Sequence, residues 1–104
     1  MARLQRPGAA TAQTKRLLQA SSALRRTMRG YPTLIVRHTD VPGVINDVTS
    51  ILARERINVA FMRVFRQARR ADACMVIETD TPVQERTRDL ILEWCQQTTE
   101  VFTI

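Results

Sequence analysis

Arg37-His38-Thr39-Asp40-Val41-Pro42-Gly43-Val44-Ile45 is the stretch in which an apolar strand pattern turns into a helical one. Upstream of it, Tyr31 to His38 carries Leu34, Ile35 and Val36 in succession, as a central strand buried on two faces does. Pro32 stands near its start, where a strand tolerates proline. Downstream, a helix is expected to begin at Pro42 or Gly43. Proline fits a first helical turn because the amides there have no intrahelical partner, and Gly43 lets another group approach the backbone closely. Such a helix end carries about half an elementary positive charge and suits a carboxylate. Beside it stand His38, which donates or accepts a hydrogen bond, and Asp40, which can receive an ammonium group. A small zwitterion such as an amino acid matches both features.

After this turn the apolar positions Val44, Ile45, Val48, Ile51 and Leu52 recur three and four apart, with Asn46, Asp47, Ser50 and Arg54 between them. That is one amphipathic helix, whose apolar residues are read as core. Ile57 to Gln67 follows as a long strand, with Val59, Phe61 and Phe65 on one side and Ala60, Met62 and Val64 on the other; Asp72 to Thr79 is its hairpin partner. In Asp80-Thr81-Pro82-Val83-Gln84, Thr81 is expected to cap a second helix, with Pro82 in the first turn and Gln84 completing a capping box. Val83, Leu90, Ile91, Trp94 and Cys95 form its apolar stripe, and Glu100 to Ile104 makes a short last strand. The order strand, helix, strand, strand, helix, strand is a split βαβ arrangement. With right-handed crossovers it predicts an α+β, ferredoxin-like βαββαβ sandwich, an antiparallel four-stranded sheet with both helices on one face. The other face, given Met75, Ile77 and the phenylalanines of the second strand, is expected to be apolar and uncovered, which implies self-association.

The chain has 104 residues, enough for one modest domain. No apolar run approaches the ~20 residues of a membrane span. The net charge of +6 is uneven. Arg3, Arg6, Lys15, Arg16, Arg25, Arg26 and Arg29 crowd a stretch without any acid, so the remainder is close to neutral. Residues 1–30 are read as a basic segment, disordered or partly helical, in which Leu17, Leu18, Leu24 and Met28 could line one side of a helix from about Thr11 to Met28. A targeting presequence and a basic arm for phosphates are the two other readings of that composition. Cys74 and Cys95 sit in apolar patterns without metal-ligand spacing, as reduced core thiols do. His38 is the sole histidine, so any metal site or triad that needs one must use it. Nothing in the sequence pairs a nucleophile with a base or makes a phosphate loop, and no metal or cofactor is implied.

In Asp40-Val41-Pro42-Gly43, and over the longer runs Thr33-Leu34-Ile35-Val36-Arg37-His38 and Ile57-Asn58-Val59-Ala60-Phe61-Met62-Arg63-Val64, the chain resembles the ACT domain. From Tyr31 to Thr81 it is most similar to the regulatory ACT domain of iron-sulfur-dependent L-serine dehydratases, in the beta subunit. Residues 31–104 are thereby identified as an ACT domain. The resemblance implies a regulatory module without catalytic activity of its own, binding a small amino acid, L-serine favoured. Its ligand-binding residues would be His38, Asp40, Pro42, Gly43, Val44, Ile45 and Asn58. In the serine-binding regulatory domain of phosphoglycerate dehydrogenase, similar here, contacts come from a His and an Asn two residues apart before Pro-Gly, and from an Asn at the start of the next strand of the neighbouring subunit. These fall on His38, Asp40 and Asn58. Asp40 departs from that Asn and has a competing role as a helix cap; Asn58 has one as a turn residue. Arg56 and the hairpin Ala68-Arg69-Arg70-Ala71 stand where the dehydratases tend to have Gly, at a cost of about 1 kcal/mol wherever a left-handed backbone is required. The expected partners are a second copy and a catalytic dehydratase subunit, in the cytoplasm, or in an organelle if residues 1–30 target it. The alternatives are a dimerisation module that binds no ligand, and an RNA-binding domain on the same topology, disfavoured because the third strand, Asp72 to Glu78, carries no aromatic.

Overall fold

The computed structural model describes residues 31–66 and 71–104. The readings placed on residues 1–30 and on the tip of the hairpin lie outside the described residues. Four strands and two helices follow in the expected order: β1 (Thr33–Thr39), α1 (Val44–Arg54), β2 (Val59–Arg66), β3 (Asp72–Thr79), α2 (Glu85–Trp94) and β4 (Thr98–Thr103). The sheet runs β2-β3-β1-β4 and every pairing is antiparallel. Each helix connects two strands separated by a neighbour, so both helices close over the same face. Val44, Val48, Ile51 and Leu52 of α1 and Ile91 and Leu92 of α2 meet Leu34, Val36, Met75, Ile77 and Val101 of the sheet there in one core. The split βαβ reading is therefore the architecture of the molecule.

Several local details depart from the sequence reading. Met75 and Ile77 face the helices, and it is Cys74 and Val76 that join Ile35 and Phe102 on the second face. β3 is buried on both sides from Ala73 to Thr79, so its residues lack the alternation that would have told one face from the other. In β2 the register slips between Val59 and Phe61. Val59 consequently packs with Met62 and Val64 in the main core, while Phe65 lies against the second cluster. One extra residue in an antiparallel pair reverses the side on which the next side chain emerges.

The helix ends also differ. α1 starts at Val44 with Gly43 at its N-cap position, three residues beyond Asp40. α2 starts at Glu85 with Gln84 at the N-cap and no side-chain capping bond, so the capping box expected from Thr81 does not form. Thr79 supplies the competing interaction, because its Oγ1 donates to the Thr81 carbonyl at 2.6 Å and holds that segment in a turn. With the helix starting later, its inward side is Thr87, Ile91 and Leu92, followed by Cys95. Trp94, the last helical residue, lies at the flank of that stripe and is 69% exposed. Arg56, just past α1, has φ 60, so the glycine it replaces would have been the unstrained residue.

Candidate functional site

The β1–α1 turn is tied down by backbone bonds on both sides. Thr39 N–H donates to the Gln97 carbonyl and Asp40 N–H to the Ala71 carbonyl, both at 2.9 Å. The Asp40 carboxylate accepts from Arg66 Nη1 at 2.8 Å, which links the turn to the end of β2. One strand over, Arg37 and Asp72 make a second ion pair at 2.6 Å. Asp40 thus meets a guanidinium and is not the N-cap residue of α1.

Gly43 has φ +95, a conformation that only glycine adopts without strain, and a Cβ added there would meet nothing within 4 Å. The glycine is therefore required by the backbone angle, while the space over it is open. The first intrahelical bond runs from Asp47 N–H to the Gly43 carbonyl at 3.0 Å. The amides of Val44, Ile45 and Asn46 precede that bond and have no intrahelical acceptor. Val44 is buried and anchors the turn, whereas Pro42 and Gly43 are exposed and Ile45 is 47% exposed. An anion arriving from solvent would meet amides flanked by a half-exposed isoleucine.

His38 is only 2% exposed. It sits in register with Ala73 of β3 and Thr98 of β4, on the helix side of the sheet. Its Nδ1 lies 2.9 Å from the Thr39 carbonyl, which can only accept, so Nδ1 carries the proton. Nε2 is then a buried acceptor with no partner among the described residues. The structure brings His38, Asp40, Pro42, Gly43, Val44 and Ile45 to one end of the sheet. Asn58 is at the other end, exposed, with Nδ2 donating to Asp80 Oδ2 at 2.8 Å. The length of β2 separates it from Arg66 and Asp40, a span of roughly 26 Å at strand rise.

Nothing else described has the character of a reactive centre. Cys74 and Cys95 are free and buried, and burial pushes the Cys74 thiol up to about 12 despite the opposing charge of Arg37. Among the described residues no group of three His, Cys, Asp or Glu side chains could hold a metal, and no helix is long and apolar enough to cross a membrane. Sequence reasoning did miss a cleft of about 410 Å³ at the Asn58 end, lined by Glu55, Arg56, Ile57, Pro82, Gln84 and Arg86 among others. It is polar and shallowly bridged, Thr87 Oγ1 donating to Glu55 Oε1 at 3.2 Å and Arg86 lying 3.4 Å from the same oxygen.

Two comparisons with known proteins bear on this geometry. The family model described as "ACT domain" matches residues 32–91, more than half of the chain. A D-3-phosphoglycerate dehydrogenase from Synechocystis sp. is 36% identical over 52 residues. That match covers 50% of this chain and 9% of the enzyme, so the similarity concerns a small part of that protein.

Proposed function

The chain belongs to the ACT domain family, whose members are regulatory amino-acid-binding modules, and on that premise we propose that it binds a small amino acid, L-serine favoured, at the β1–α1 turn. The observation that carries this reading is the start of α1: an exposed, left-handed Gly43 under open space, followed by amides without intrahelical acceptors. A ligand carboxylate lies over those amides. His38 Nε2, left as an acceptor, supplies what an ammonium or hydroxyl group needs. Its burial requires the ligand to displace the covering side chains, so binding and a local shift of β1 go together.

Asn58 joins the site from a second copy. β2 is an edge strand, and a two-fold that pairs it with itself runs the start of one β2 against the end of the other. Pairing centred on Met62 sets Asn58 near Arg66 of the partner subunit, the residue that holds Asp40. Centring on Arg63 would place two guanidinium groups directly opposite, which is unfavourable. Occupancy of the turn would then be read as a change of packing between two copies. The resemblance to iron-sulfur L-serine dehydratases makes a catalytic subunit of that type the enzyme it serves, in the cytoplasm, with this chain in the regulatory role.

Titration calorimetry of the full chain against a panel of amino acids tests the reading. A hydrogen bond to a charged group contributes ~1.5 to 3 kcal/mol, so Asn58→Ala should weaken serine binding tenfold or more. Asp80→Ala breaks the same Asn58–Asp80 bond but frees the amide, and should leave affinity unchanged or improved. Equal losses in the two variants, or no loss in either, would exclude Asn58 from the site. Binding of no amino acid at all would exclude the function and leave a dimerisation module.

A further inference from the structure

One row of the sheet leads from the edge strand to Asp40. His38 of β1 and Arg66 of β2 both stand in register with Ala73 of β3, so the three residues line up across the sheet, roughly 10 Å from end to end. Arg66 alternates with Met62 and Val64, which pack in the main core, and therefore emerges on the helix side, as His38 does. Ala73 between them carries only a methyl group, and the Arg66 side chain crosses it to bring Nη1 within 2.8 Å of Asp40 Oδ2. The Asp40 side chain is 19% exposed and that of Arg66 53%, so the anion of the pair is held in the turn and the cation is the end that can leave.

Asp40 brings a full negative charge to the turn that leads into the unpaired amides of α1. A ligand carboxylate over those amides meets a like charge unless a cation sits on Asp40, and in the free protein Arg66 is such a cation. An amino acid carries a cation of its own, so when it arrives two positive groups compete for one carboxylate. We propose that Arg66 is a specificity-determining residue of the amino-acid site: it occupies Asp40 until the ligand's ammonium takes its place, so that a ligand must bring both charges to bind well. This rests on the site proposed above at the β1–α1 turn. The exchange moves no proton, since an N–H donor of a guanidinium is replaced by one of an ammonium and the guanidinium returns to water. An exposed ion pair is weak enough to be exchanged on these terms. The His38 Nε2 acceptor is then left for a ligand hydroxyl. A hydroxy acid, which has a carboxylate and a hydroxyl but no ammonium, leaves Arg66 where it is.

The experiment is titration calorimetry at low ionic strength, where screening is least, on the full chain and its Arg66→Met variant, which keeps an unbranched stem without the charge. The two ligands are L-serine and L-glycerate, the same molecule with a hydroxyl in place of the ammonium. In Arg66→Met, L-serine should bind about two- to fivefold tighter, the equivalent of ~0.5–1 kcal/mol for an exposed ion pair. L-Glycerate should bind more weakly or not at all, because Asp40 then faces its carboxylate uncompensated. The opposite signs separate the exchange from an effect on dimer packing, which would move both ligands together. Unchanged or weaker L-serine binding in the variant, or a shift of both ligands in one direction, would overturn the proposal, while L-serine binding by the wild type would leave the site at the turn standing. No binding by wild type and variant alike would remove the site and the proposal together, whereas L-serine binding that emerges only in Arg66→Met would support the exchange. If the variant lacks a native circular dichroism spectrum, Arg66→Gln is read in the same way.

Discussion

Replacing Arg56 by glycine should stabilise the domain. α1 ends in a motif whose bonds are all in place: Arg56 N–H donates to the Ala53 carbonyl at 3.1 Å and Ile57 N–H to the Leu52 carbonyl at 2.9 Å. This is the arrangement that requires a left-handed residue after the cap, and Arg56 supplies it at φ 60. An L-residue with a Cβ loses ~1–2 kcal/mol there. Glycine returns part of that gain, about 0.4–1 kcal/mol, as extra entropy of the unfolded chain. The net is a stabilisation of about 0.5–1 kcal/mol, or a rise in Tm of roughly 2–8 °C for a domain of this size. Thermal and urea unfolding of wild type, Arg56→Gly and Arg56→Ala would check it. Alanine keeps the Cβ, so its Tm should stay near wild type. If alanine matched the gain of glycine, the benefit would come from removing a guanidinium beside Arg86 in the cleft, and the backbone argument would be wrong.

Two further outcomes follow from the packing. Leu92→Ala, at a fully enclosed position, should cost ~2–5 kcal/mol, whereas the exposed Trp94→Ala should stay within about 0.5 kcal/mol; urea midpoints in the reverse order would refute the helix phase described for α2. Cys74 titrates near 12 when folded, above its ordinary 9.0, so the folded state holds the proton longer than the unfolded one. Its contribution is complete below pH 9.0 and declines as pH rises towards about 12, and the difference in unfolding free energy between wild type and Cys74→Ala should shrink over that window.

The fold was legible because its decisive signals are local. The apolar run Leu34 to Val36, the three-and-four spacing from Val44 to Leu52 and the breaks at Pro42-Gly43 and Asp80 to Pro82 each name one element, and the order of elements allows few topologies. The errors arose where a residue's role is decided by something distant in sequence. Thr81 has the chemistry of a cap, but Thr79 engages its carbonyl first. Val59 shares a side with Phe61 on paper, but a slip against β3 moves it into the main core. β3, buried on both sides, has no pattern to read.

The site divides along the same line. That α1 begins near Gly43 could be read from Pro42-Gly43, because proline and glycine act through backbone angles that belong to the residue itself. What Asp40 does could not, since its guanidinium partner comes from Arg66, on another strand. His38 is the more instructive case. A histidine at the end of a strand reads as surface, and here it is enclosed between Ala73 and Thr98, with one nitrogen committed to the next carbonyl and the other unmet. A core that needed only to be filled would be better served by an apolar residue, because an unpaired acceptor in a closed space is destabilising. The same reasoning applies to Glu78 on the second face. Each marks a place where the described residues leave a polar requirement unmet, one beside the turn that resembles an amino-acid site and the other on the sheet face opposite the helices.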